Sequence, residues 1–175
     1  MANEEPPPLV RGGQRRKLTV AGASAATLHE ITRRDAERLG AAFAAMEPWL
    51  GYGMSAEVLA SFLGKSEPGY ARFAIYLDDA LAGAIVVRET WLLGPYLQFL
   101  GLLPGQQGRG LGKAALDWMA SQAPKGTRNL WLCVTASNTR ARAFYERHGF
   151  EHAALLSDLV ADGKDELLMR RRLRS

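Results

Sequence analysis

Three groups of residues in this chain have types and spacings that could do chemistry. The first is Gln107-Gly108-Arg109-Gly110-Leu111-Gly112-Lys113, which follows an apolar run stopping at Pro104 and opens a helical pattern at Leu111. A strand, a glycine-rich turn and a helix N-terminus build an anion site out of backbone. Several N–H groups converge there, and the helix dipole adds about half a positive charge. Gly108, Gly110 and Gly112 take away side chains that would keep a diphosphate at a distance, and they allow positive φ. A P-loop does not fit, because Gln107 stands where its first glycine belongs and Ala114 follows the lysine. The dinucleotide pattern fits Gly110-Leu111-Gly112 only loosely. It needs an acid about 20 residues on, and none occurs between Trp118 and Tyr145. What remains is Gln/Arg-x-x-Gly-x-Gly/Ala, matched by residues 107–112.

The second group runs from Asn138 to Phe150. It starts as a capped helix and ends with Gly149 as a left-handed stop, after which Phe150 is the apolar residue that folds back. The third is the loop Met46–Met54, where Trp49 and Tyr52 put unusual aromatic mass in a connection, with Glu47 beside them. Trp49 suits a staple between helices, and Trp49 with Tyr52 equally suits the wall of an acceptor pocket.

Taken together, residues 107–112 and 138–150 resemble motifs A and B of the GNAT superfamily of acetyl-CoA-dependent N-acetyltransferases. The second motif carries Asn138 after a strand, Phe144-Tyr145 on a helix, then Gly149-Phe150. The resemblance extends over residues 28–173 and implies an α/β (α+β) GNAT fold. That fold is a central mixed sheet of six to seven strands with helices on both faces, its fourth and fifth strands splayed so that pantetheine can enter the gap. It also implies acetyl-CoA as co-substrate, without a metal, and acetyl transfer to a primary amine of a small molecule or peptide within a ternary complex. A protein lysine or N-terminal acetyltransferase is the near variant, and a non-catalytic acyl-CoA sensor is the alternative from another class.

Carried over residue by residue, backbone groups of Leu102 and Leu103 would pair with pantetheine, and the Leu102 N–H would face the developing oxyanion. The amides of Gln107, Gly108, Arg109, Gly110, Leu111, Gly112 and Lys113 would cradle the diphosphate. Asn138 would bond the amide arm besides capping its helix, and Arg109, Lys113, Arg140 and Arg142 would meet phosphates. Tyr145 would be the general acid, since a phenol of pKa about 10 can protonate a thiolate whose thiol lies about 8.5. The base stays open: no acid occurs from Trp91 to Pro104, which leaves Glu47, Glu89, Asp158 or a water relay. Trp49, Tyr52, Tyr96, Gln98 and Asp158 are the acceptor-side candidates.

The elements that must position these groups follow from pattern. A short strand is expected within Lys17–Ile31, then a helix capped by Thr32 with Asp35 three residues on and an apolar stripe Ala36, Leu39, Ala42, Phe43, Met46, ended by Pro48. A helix over Ala56–Leu63 turns Val58, Leu59 and Phe62 inward. Strands Tyr70–Leu77, Leu81–Thr90 and Tyr96–Leu103 form a meander through turns at Asp78-Asp79 and Gly94-Pro95. The helix Gly110–Gln122, the buried parallel strand Asn129–Val134 and a hairpin of His152–Val160 with Glu166–Leu173 complete the chain.

With 175 residues, 47% apolar and 23% charged, the chain reads as one globular domain over 17–175 behind a disordered arm, residues 1–16. Cys133 is the single cysteine, placed as a buried thiol in an apolar run. A net charge of +4 suits an anionic co-substrate but is too small for nucleic acid, and no run is long enough to span a membrane. Cytoplasmic residence and a homodimer complete the expectations. The terminal Arg170–Arg172 read as strand-edge charge.

Overall fold

In the computed structural model, which describes residues 15–20 and 25–173, the chain forms one eight-stranded mixed sheet with two helices on each face. The elements are β1 (Arg16–Leu18), β2 (Ala26–Glu30), α1 (Arg33–Ala44), α2 (Ala56–Gly64), β3 (Tyr70–Leu77), β4 (Ala80–Trp91), β5 (Gly94–Leu102), α3 (Leu111–Gln122), β6 (Asn129–Thr135), α4 (Thr139–Arg147), β7 (Glu151–Ala161) and β8 (Lys164–Arg172). Spatial order is β1-β2-β3-β4-β5-β6-β8-β7. All pairs are antiparallel except β5 with β6. The sheet exceeds the expected six to seven strands because the region read as one N-terminal strand holds two, paired by Lys17↔Thr27. Most of the expected arm lies outside the described residues, and Arg16 belongs to β1.

Each helix is set by local chemistry. Thr32 accepts from the Asp35 N–H while the Asp35 carboxylate accepts from the Thr32 N–H, a complete capping box at the head of α1. Tyr76 donates to the same carboxylate at 2.6 Å, tying α1 to β3. Burial alone would raise the Asp35 pKa, yet these donors hold it below its ordinary value. α1 ends at Ala44, ahead of Pro48. On α2, Leu59 and Leu63 go inward while Val58 is 54% exposed, the reverse of its expected orientation. α1 and α2 bury Leu39, Phe43, Leu59 and Leu63 against Ala84, Val86 and Phe99 of the sheet. On the opposite face α3 and α4 pack Leu111, Ala115, Trp118, Met119 and Tyr145 against Ile85, Val87, Leu97, Leu130 and Leu132.

The turns follow the sequence with one exception. Asp78 and Asp79 take positive φ of 49° and 61°, the conformation of a tight hairpin. The β4–β5 turn instead uses Leu92 and Leu93, at φ 40° and 64°, and Gly94 is a buried residue of β5. A side chain at Gly94 would run into the Asn129 carbonyl, so the glycine serves close strand approach rather than the turn. The Leu92 carbonyl is held by the Trp131 indole N–H at 3.0 Å. Arg170–Arg172 also depart from expectation: β8 lies between β6 and β7, and Arg170 sits over the Trp131 ring rather than at a sheet edge.

Candidate active site

The parallel pairing of β5 with β6 lasts two residues, Tyr96↔Trp131 and Leu97↔Leu132, and then stops. The cause lies in β5. Val87 faces Leu97 and Val86 faces Phe99, so Gln98 is an inserted residue, a β-bulge that bends the strand and reverses its alternation. Leu97 therefore packs on the α3/α4 side, Phe99 on the α1/α2 side, and Leu100 and Leu102 again toward α3/α4. Beyond the bulge β5 remains bound to β4, where the Leu103 N–H donates to the Ala82 carbonyl at 2.8 Å. Strand alternation then turns the Leu102 N–H the other way, toward the opening beside β6. The Leu102 carbonyl accepts from the Gln107 side chain at 3.3 Å.

At the head of this opening lies the glycine loop. Gly110 caps α3 in the left-handed conformation, φ 80°, with no side-chain cap, so the first-turn N–H groups of α3 have no intrahelical partner. Gly112 serves another purpose than the one expected. A Cβ there would lie 2.9 Å from Phe144 Cζ, so this glycine lets the two motifs touch rather than clearing space for an anion. Arg109 donates to the Gln106 side chain at 2.9 Å, and Lys113 pairs with Asp117 at 2.5 Å, both at the exposed rim.

The second motif is built as its residues dictate. The Asn138 side chain accepts from the Ala141 N–H at 3.0 Å and caps α4. Gly149, φ 82°, closes the helix: the Phe150 N–H bonds the Tyr145 carbonyl at 3.1 Å and the Gly149 N–H bonds that of Glu146 at 3.0 Å. The Phe150 ring folds back on Tyr145, centroids 5.8 Å apart. Tyr145 is 9% exposed, and its hydroxyl has no hydrogen-bond partner among the described residues. Burial pushes its pKa well above the ordinary phenol value. Arg142 donates to the Ala136 carbonyl at 3.0 Å, fastening α4 to the end of β6, whereas Arg140 is exposed.

On the α1/α2 face the structure sorts the acceptor-side candidates. Trp49 is half-buried and stacked on Phe99 at 4.8 Å and against Phe43 at 4.9 Å, so it staples the loop to α1 and β5. The exposed Glu47 accepts from the Gly51 N–H at 3.1 Å and shapes the same loop. Gln98 is the exposed bulge residue. Asp158 is exposed at φ 53°, and its carboxylate accepts from the Gly163 N–H at 2.6 Å, which makes it a hairpin residue of β7–β8. Glu89 follows the buried stretch of β4, near its far end, and its N–H bonds the Gly69 carbonyl at 2.8 Å.

Tyr52 reaches furthest. Its hydroxyl lies 2.6 Å from Thr135 Oγ1 and donates to Glu166 Oε1 at 2.6 Å, joining the α1–α2 loop to the ends of β6 and β8. Burial, then the bond to Glu166, pushes the Tyr52 pKa up to about 12. Tyr96 is raised further, first by burial and then by its hydrogen bond to the Cys133 thiol, which burial also pushes up. Glu166 and Thr135 are the functional candidates the sequence did not disclose. Thr135 and Glu166 are paired across β6 and β8, and Glu166 is a carboxylate only 7% exposed. No sequence signal singled Glu166 out, because its strand also carries Lys164, Asp165 and Arg170–Arg172.

A mixed sheet split at one parallel pair, with a glycine loop and helix N-terminus at the head of the split, defines an α+β protein whose sheet is open beside a helix N-terminus. A model of the Acetyltransferase (GNAT) family matches residues 27–150, well over half the chain, and the chain belongs to that family of acyltransferases. Among relatives, a ribosomal protein bS18-alanine N-acetyltransferase of Salmonella typhimurium is 32% identical over 96 residues, 54% of this chain and 64% of that one. A mycothiol acetyltransferase of Beutenbergia cavernae is 45% identical over 82 residues, 45% of this chain and 27% of the other. The matched stretches thus leave a third or more of each of these relatives uncovered. A crystal structure of an acetyltransferase from Thermus thermophilus superposes with a TM-score of 0.68 at 24% identity, covering 89% of this chain and 100% of that one. This likeness establishes the shared fold.

Proposed function

We propose that this chain transfers an acetyl group from acetyl-CoA to a primary amine. The observation that carries the reading is the termination of the β5–β6 ladder at Leu97↔Leu132, directly below an α3 N-terminus with free amides. An unpaired strand edge in a sheet interior needs a partner, and the pantetheine arm, with its two amides, supplies a strand-like one. The residues present fit the donor: the Leu100 and Leu102 edge would hold the arm, and the amides from Gln107 to Lys113 would hold the diphosphate. Bound acetyl-CoA supplies an activated thioester.

What the protein adds is placement and proton handling. The Leu102 N–H is aimed where negative charge gathers on the thioester oxygen, and one such donor removed typically costs about 10²–10³ in rate. Tyr145 keeps its proton in a desolvated site and gives it to the departing sulfur. The unpartnered hydroxyl supports this assignment, because no bond within the protein competes with the departing sulfur for its proton, and burial of the residue keeps that proton on. On the acceptor side, exposed Leu50 and Met54 in the α1–α2 loop and Leu159 and Val160 beside the β7–β8 hairpin present apolar surface. That surface favours a peptide chain carrying a free amine over a highly charged small molecule.

The test is calorimetry with coenzyme A and acetyl-CoA, followed by thiol release against a panel of amines including a free-amine alanyl tripeptide. Micromolar binding and amine-dependent thiol release are expected, with Tyr145→Phe lowering kcat about 10²–10⁴-fold while coenzyme A affinity is kept. Absence of coenzyme A binding would overturn the reading, and binding without release to any amine would favour an acyl-CoA sensor.

A further inference from the structure

Glu166 is a buried carboxylate without a counter-ion. Among the described residues no Lys, Arg or His lies within ion-pair distance of it, and its single hydrogen-bond donor is Tyr52, on Oε1. Desolvating a charge in this way is expensive unless a cation arrives to pair with it. The location is specific as well. Glu166 faces Thr135 across the β6–β8 ladder, on the stretch of β6 that lies beyond the last pairing with β5. The groups facing it are Tyr52 from the α1–α2 loop, Tyr96 from β5, and Cys133 and Thr135 from β6. Three of these titrate, each is neutral near pH 7 with its pKa raised, and none compensates the carboxylate. Glu47 acts on Tyr52 only as a further negative charge.

We propose that Glu166 is the acceptor-amine site of this enzyme: it receives the substrate ammonium on Oε2 and takes its proton. Tyr52 is the positioning residue. Its short bond fixes Oε1 and so directs the free oxygen, while its length carries the α1–α2 loop over the site. The proposal rests on the acetyl-transfer reading above and names the base that reading leaves open.

The chemistry balances. One ammonium proton passes to Glu166, and the freed nitrogen pair attacks the thioester carbon. The C–N bond forms, the C–S bond breaks, and sulfur leaves with its electron pair and the Tyr145 proton. The second surplus nitrogen proton restores the Tyr145 hydroxyl, and the proton on Glu166 goes to solvent. The sum is ammonium plus thioester giving amide, thiol and one proton.

The experiment compares wild type with Glu166→Gln, Glu166→Asp and Tyr52→Phe in acetyl-CoA calorimetry and in thiol release with an alanyl tripeptide and a panel of simple primary amines from about pH 6 to 10. Expected for Glu166→Gln are acetyl-CoA affinity within about twofold of wild type and kcat/KM down about 10²–10⁴-fold. The acid limb of the pH profile should move up to the amine's own pKa, because only the free base then reacts. Glu166→Asp, which keeps the charge but retracts it, should recover part of the rate at higher amine KM, and it stands in if Glu166→Gln does not fold. Tyr52→Phe should raise amine KM while leaving acetyl-CoA affinity intact. Wild-type turnover with Glu166→Gln reacting within about threefold on an unmoved profile, or, where that variant does not fold, with Glu166→Asp showing unchanged kcat and amine KM, overturns the proposal and leaves acetyl transfer standing. A wild type that neither binds acetyl-CoA nor releases thiol overturns both.

Discussion

Replacing Gly112 with alanine puts a methyl group where the structure has the edge of a ring. The new Cβ would lie 2.9 Å from Phe144 Cζ and 3.4 Å from Cε2, whereas carbon pairs relax at about 3.5–4.0 Å. The ring has little room to retreat, since it already contacts His148 at 4.4 Å and Tyr145 at 5.2 Å between centroids. Overpacking of this kind costs about 1–3 kcal/mol. Alanine is the better helix former by at most about 1 kcal/mol, and less in a first turn. The net expectation is a destabilisation of about 0–2 kcal/mol.

A second substitution separates the two contributions. In a Phe144→Leu background the obstacle is gone, so Gly112→Ala should show only its helix-propensity gain. Urea unfolding of the four proteins, with equal m-values, should therefore give a coupling of about 1–3 kcal/mol between the two sites. Coupling below about 0.5 kcal/mol, the level of independent positions, would refute the claim that this glycine exists to admit the ring. Unchanged stability with abolished coenzyme A binding would refute it from the other side, by showing that the methyl faces the ligand.

Three further outcomes follow from the same structure. Thr32→Ala removes the side-chain half of the capping box together with the hydroxyl's bond to Asp35, leaving the backbone half, and should cost about 0.5–2 kcal/mol, read as a lower urea midpoint; an unmoved midpoint would discount the cap. Phe43→Ala empties a fully buried site touching Trp49, Phe99 and Gly101, and should cost about 3–5 kcal/mol with loss of the stacked Trp49 fluorescence environment. Stability should also fall in alkali. Burial, above all, raises the pKa of Tyr52 to about 12 and raises those of Tyr76, Tyr96 and Tyr145. The native state then holds protons that the unfolded chain has shed above about pH 10. The Tyr52 contribution is therefore complete below about pH 10 and is lost as pH rises through about 12. A urea midpoint equal at about pH 8 and pH 11 would contradict it.

What the sequence disclosed were interactions closed within a few residues. The Thr32–Asp35 box, the Asn138 cap, the Gly149 stop with Phe150 behind it and the Asp78-Asp79 turn each have their physical cause inside one short window. The misread turn shows the limit. Gly94-Pro95 has turn composition, yet Leu92 and Leu93 make the turn because Trp131, 39 positions later, holds the Leu92 carbonyl and because Gly94 is needed where Asn129 approaches. Tyr52 and Glu166 are 114 positions apart, and nothing local to either announces the other. Glycines give the same lesson within one motif: Gly110 is required by its backbone conformation and Gly112 by a neighbour in α4, although both read alike in the chain.

The bulge at Gln98 links these two kinds of information. Leu97 and Phe99 are two residues apart and should share a face of β5, yet they belong to opposite cores. Both are too apolar for the alternation to be read from sequence, and the single polar residue between them looks like a ligand contact. Its insertion has two consequences that local reasoning would treat as unrelated. It bends β5 off β6 so that the Leu102 N–H faces open space, and it ends the strand ladder ahead of Cys133 and Thr135, which brings Glu166 of the next strand to the margin of the gap. One extra backbone unit thus opens the strand gap proposed to admit the donor and sets the buried carboxylate of Glu166 at its margin, where the proposed acceptor site lies.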